Sequence, residues 1–136
     1  MVRFTADLDL IVDLEPGNLG RFLQAMTELG YRPRNPVKAG DLLDPTIREQ
    51  WKREKGMVVF SFVEPSQSMA LIVVFIEEQI SFSEVMQEIV RMEARGITIP
   101  VVSLRHLKRL KRSAGRPQDL ADIEAIEALE SEDEKP

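Results

Sequence analysis

The chain has 136 residues, 43% hydrophobic and 30% charged, the composition of one ordinary globular domain large enough to bury a core. It has no cysteine and a single histidine, which excludes a disulfide framework and a thiolate metal site. The net charge of −5 is unevenly laid: Arg105, Lys108, Arg109, Lys111, Arg112 and Arg116 crowd one stretch, and acids dominate from Asp119 onward.

Asp7-Leu-Asp-Leu-Ile-Val-Asp-Leu alternates acidic and apolar residues and predicts a strand over Thr5 to Leu14, with Leu8, Leu10, Val12 and Leu14 on the buried face. Glu15-Pro16-Gly17-Asn18 ends it and opens a helix, in which Leu19, Phe22, Leu23, Met26 and Leu29 recur at helical spacing before Gly30. Tyr31 to Asp44 is irregular, and Asp44-Pro45 caps a second helix through about Glu54. Met57 to Val63 and Ala70 to Ile76 form a hairpin, the second strand apolar enough to be covered on both faces.

Ser81-Phe-Ser-Glu84 has capping-box spacing ahead of a helix carrying Val85, Ile89 and Met92. A short strand, Ile97 to Val102, follows Gly96. Ser103 caps a basic helix ending near Gly115, and Pro117 starts a last helix to about Leu129. The expected fold class is α/β (α+β): a mixed, partly antiparallel sheet of about four strands with helices on it, in a single domain over 1–129. Residues 130–136 have nothing apolar to bury and read as a disordered acidic tail. The acidic-apolar opening is unlike a signal peptide and no apolar run approaches membrane length, so a cytoplasmic protein with no membrane contact is expected.

Two positions stand out chemically. Asp7 and Asp9 are two apart on one strand and point the same way, roughly 6–7 Å apart along the chain. Carboxylates so placed can grip Mg²⁺, which wants hard oxygen ligands. Asp13 continues their face. On spacing alone they are more simply outward polar residues of a half-exposed sheet, yet aspartate is a poor strand former and like charges repel. In the basic helix, Leu104, Leu107, Leu110 and Ala114 fall in one inward arc, with Arg105, Lys108, Arg109 and Arg112 on a solvated arc beside it. Lys111 projects between Leu104 and Leu107, where it must snorkel outward or reach an anion. In the last helix Leu120, Ile123 and Ile126 face inward with Asp119 among them, a partner for Lys111 or Arg116.

The run Arg3-Phe-Thr-Ala-Asp-Leu-Asp-Leu-Ile-Val resembles the arginine-x-threonine-x-aspartate-x-aspartate strand of the nucleotidyltransferase fold, the DNA polymerase β-like superfamily. The run from Ile99 to Ile123, with one inward lysine, then Arg116-Pro-Gln-Asp119 and Asp122, is similar to small bacterial members found in abortive-infection and toxin–antitoxin systems. The resemblance implies Mg²⁺ on Asp7 and Asp9, with Thr5 and Arg3 beside them. It places Lys111 near the nucleotide phosphates, with Arg116, Asp119 and Asp122 organising the helix pair. The chemistry implied is Mg²⁺-dependent transfer of a nucleotidyl group from a nucleoside triphosphate to a hydroxyl acceptor.

Two departures qualify the pattern. The family's strand follows a helix and a Gly-Gly or Gly-Ser turn, whereas this sequence opens at the strand. The best place for a third carboxylate, Ile72-Val73-Val74, is wholly apolar, and Glu77 and Glu78 stand past the strand end. The alternative expectation is therefore a non-catalytic binding module or antitoxin-like protein, forming a homo-oligomer or pairing with a protein such as a toxin. Nucleic-acid binding through the basic helix is disfavoured, since stacking aromatics are missing nearby and the acidic tail competes.

Overall fold

The computed structural model describes residues 8–67 and 70–133, and the backbone divides into two compact units, 1–77 and 78–136. Together they make an α+β fold with one mixed four-stranded sheet and one two-stranded sheet. No helix of the described residues is long and apolar enough to cross a membrane.

In the first unit the strands lie in the order β1 (Leu8–Leu10), β4 (Leu71–Phe75), β3 (Val59–Val63), β2 (Arg32–Pro33). β1 runs parallel to β4, and the other pairings are antiparallel. The first strand ends at Leu10 rather than at the expected Leu14, and Asp13 turns the chain beyond it. Its carboxylate accepts from Glu15 N–H (3.1 Å), and its carbonyl accepts from the Asn18 side chain (2.8 Å). Asp13 is thus a turn residue rather than a continuation of the aspartate face. Glu15 then caps α1 (Pro16–Glu28), accepting from Gly17 and Asn18 N–H, and those bonds hold its carboxyl below the usual range.

Asp44 caps α2 (Pro45–Lys55) through Thr46 N–H (2.8 Å), and Gly56 ends it at φ 61°, in the left-handed region. Leu19, Leu23 and Met26 of α1 and Trp51 of α2 join Leu42, Phe60, Phe62, Val74 and Ile76 in the core. Trp51 stacks on Phe60 (centroids 5.6 Å apart), and Phe60 meets Phe62 at 5.0 Å. Leu29, at the helix end, is exposed.

The second unit departs further from the sequence reading. α3 (Phe82–Gln87) has the expected Ser81 cap, but it stops before Ile89 and Met92. The following residues form β5 (Val90–Ala94), paired antiparallel to β6 (Ile97–Val101). The two-residue turn between them places Arg95 at φ 53° and Gly96 at φ 78°, the pattern of a type I′ turn matched to strand twist. Hairpin closure and β-branched Val90, Ile97, Thr98, Ile99 and Val101 outweigh the helical spacing of Val85, Ile89 and Met92. α4 (Leu104–Ala114) and α5 (Pro117–Asp133) complete the unit, and α5 extends into the acidic stretch beyond Leu129.

Candidate functional site

Among the strand candidates, Arg3, Thr5 and Asp7 lie outside the described residues. Asp9 is exposed at the centre of β1, in register with Val73 of β4, which is in turn in register with Ser61 of β3. Register partners share a face, so Asp9, Val73 and Ser61 form one row across the sheet. Phe60, Phe62 and Val74 occupy the opposite, helix-covered face.

No acid stands beside Asp9 in that row. Glu77 instead pairs with Lys52 (2.6 Å), and this contact, hydrogen bond first, raises the lysine's pKa. Among the described residues no three histidine, cysteine, aspartate or glutamate side chains are grouped to hold a metal ion. Mg²⁺ commonly takes one or two protein carboxylates and completes its shell with phosphates and water. With Asp7 outside the described residues, Asp9 is the one carboxylate described in this row. Val73 supplies no oxygen for a cation.

The helix candidates are brought together. Ser103 caps α4 by accepting from His106 N–H (3.1 Å), and Gly115 ends it at φ 64°. The tight connection folds α5 back so that Lys111 Nζ lies 2.9 Å from Asp122 Oδ2 and 3.9 Å from Asp119 Oδ1. Asp119 is buried at 2% exposure, and Arg116 grips it with Nε at 2.7 Å and a second guanidinium nitrogen at 3.2 Å. Those hydrogen bonds, opposed by burial and aided by the Arg116 charge, pull its carboxyl below the usual range. Lys111 therefore reaches anions supplied by the protein itself. Its ammonium and the two aspartates tie the helix pair.

Every basic residue of α4 is paired in the same way. Lys108 meets Glu130 (2.7 Å), Arg112 meets Glu127 (3.0 Å) and Arg109 meets Glu84 (3.5 Å). Arg105 donates through Nε to both Glu88 oxygens (3.1 Å), and this lowers the Glu88 pKa. A basic stripe matched by acids from α3, the residue after it and α5 has little excess charge to offer a phosphate backbone.

Sequence reasoning passed over His106. It is fully buried, with Nε2 3.1 Å from Glu88 Oε2 and Nδ1 without a hydrogen-bond partner among the described residues. The inward arc of α4 is rotated toward His106, leaving Leu107 and Leu110 half-buried and Leu104 exposed, while the Ala114 side chain is outside the description. On α5, Asp119 and Ile123 are buried and Leu120 is exposed. The histidine falls on the same helical face as Leu110, and that spacing was the available signal.

No family model, curated protein or solved structure matches this chain.

Proposed function

We propose that the chain is a nucleotidyltransferase-like protein whose Asp7 and Asp9 bind the Mg²⁺ complex of a nucleoside triphosphate, for nucleotidyl transfer to an unidentified acceptor. The observation that carries the reading is Asp9, exposed at the centre of β1 in the parallel β1–β4 pair of a mixed sheet. Asp7 and Asp9 would hold the Mg²⁺, which would supply positive charge to offset the negative charge of the phosphates. Asp9's own part is to present its carboxylate to that cation from the exposed face of β1. Titration calorimetry with each common nucleoside triphosphate tests this. Binding that requires Mg²⁺ and weakens at least about tenfold in Asp9→Asn, as expected for losing a charged ligand, supports it. No heat at millimolar nucleotide with Mg²⁺ refutes it.

A second reading, a non-catalytic member of the same fold acting as a binding module or antitoxin-like partner, is favoured by Val73. The apolar side chain beside Asp9 leaves the acid set at two. Nucleotide binding without transfer to protein or RNA acceptors would select this reading over the first.

A further inference from the structure

β5 and β6 form a sheet of two strands on their own. An isolated hairpin is marginal in water, and its stability comes from covering one face. The register pairs Val90 with Val101, Met92 with Ile99 and Ala94 with Ile97, so these six side chains share one face. Arg91, Glu93, Thr98 and Pro100 take the other. One face is thus wholly apolar and uncharged, yet all of it except Val101 is exposed.

The exposed fractions of Val90 (52%), Met92 (55%), Ile97 (64%) and Ile99 (44%) decide how large the patch is. They amount to roughly 400 Å² of exposed apolar residue surface, the size of the largest and often functional patch on a monomer. Set against an identical patch, these side chains alone would bury roughly 800 Å² in total. With Ala94 added, the contact stays below the roughly 1,200 Å² of a standard interface, the size of a weak, concentration-dependent association.

We propose that the apolar face of the β5–β6 hairpin packs against the same face of a second copy, forming a two-fold symmetric dimer. A two-fold axis puts identical surfaces in contact, so a self-associating face must tolerate itself. This one carries no charge, and like meets like without repulsion despite the net charge of −5. Charged Arg91 and Glu93 stay on the solvent side of each hairpin.

Sedimentation velocity on the full chain, from micromolar to several hundred micromolar, reads the outcome. The wild type should show a concentration-dependent dimer. Met92→Lys and Ile99→Lys, at exposed cross-strand neighbours, should weaken it about tenfold or more, while Arg91→Glu on the reverse face leaves it unchanged. Mixing Met92→Lys with Met92→Glu should restore a dimer that salt weakens, a result only folded hairpins can give. A wild-type monomer throughout the range overturns the proposal. So does a dimer indifferent to Met92→Lys and Ile99→Lys, or one broken by Arg91→Glu instead.

Discussion

Asp9 and Val73 face one another across the parallel β1–β4 ladder, a carboxylate in register with an isopropyl group. If the aspartate strand holds a cation, Val73 is where the sheet can add another ligand without moving the backbone. Val73→Asp should lower the melting temperature in the absence of divalent cation, because like charges then stand side by side. Added Mg²⁺ should raise that melting temperature by more than it raises the wild type's, since a ligand that binds only the folded state stabilises it by mass action. Thermal denaturation with and without Mg²⁺ measures both, and an equal increment in the two proteins would count against a cation at this strand.

The Lys111–Asp122 contact at 2.9 Å makes a prediction about the helix pair. Both side chains are partly shielded, at 25% and 34% exposure, so their coupling should exceed that of a surface pair only modestly. A double-mutant cycle with Lys111→Met and Asp122→Asn should return about 1 kcal/mol by urea denaturation. A coupling indistinguishable from zero would free Lys111 from a structural role.

Asp119 sets the response to acid. Hydrogen bonds from Arg116 keep its folded-state pKa below the unfolded value. Its contribution to stability is therefore complete above the unfolded pKa and is lost as pH falls through the lower, folded one. Urea midpoints followed by far-ultraviolet circular dichroism should drop below about pH 4, and Asp119→Asn should reduce that drop. The variant should also be less stable at neutral pH, where the charge-assisted bonds have gone.

The paired charges of α4 predict weak affinity for nucleic acid. Fluorescence anisotropy with labelled single-stranded RNA and duplex DNA at low salt should show no appreciable binding. Reversing two partners, Glu127→Lys with Glu130→Lys, should uncover binding that falls steeply with salt, because each unmatched cation adds to counterion release.

Local chemistry was legible in the sequence and long-range pairing was not. The caps at Asp44, Ser81 and Ser103 and the glycine stop at Gly115 are settled within four residues, and each stands where its local pattern placed it. Val90–Ala94 was misread because Val85, Ile89 and Met92 satisfy a helical period, while the strand depends on a partner across an Arg95-Gly96 turn that lacks the usual asparagine. In the candidate site, the Asp-x-Asp spacing could be read directly. Its neighbour Val73 could not, because register across 64 residues of chain belongs to the folded sheet. The partners of the basic helix are likewise 8 to 25 residues away, so a stripe that looked solvated proves to be matched.

The aromatic stack gives the first unit a vulnerable centre. Phe60→Ala should destabilise it by about 3–5 kcal/mol, as large-to-small changes in packed aromatic cores do. A loss below about 1 kcal/mol, read from chemical denaturation, would mean that Trp51 and Phe62 close over the gap.

Trp51 also decides what the protein can report about itself. It is the chain's single tryptophan, buried on Phe60 in the first unit, and the single tyrosine, Tyr31, packs against the same core. Intrinsic emission is therefore a voice for residues 1–77 only, and the helix pair of the second unit is silent in it. Circular dichroism hears both. Melting curves that superimpose in the two signals would describe one cooperative body, and curves that part would time the two units separately.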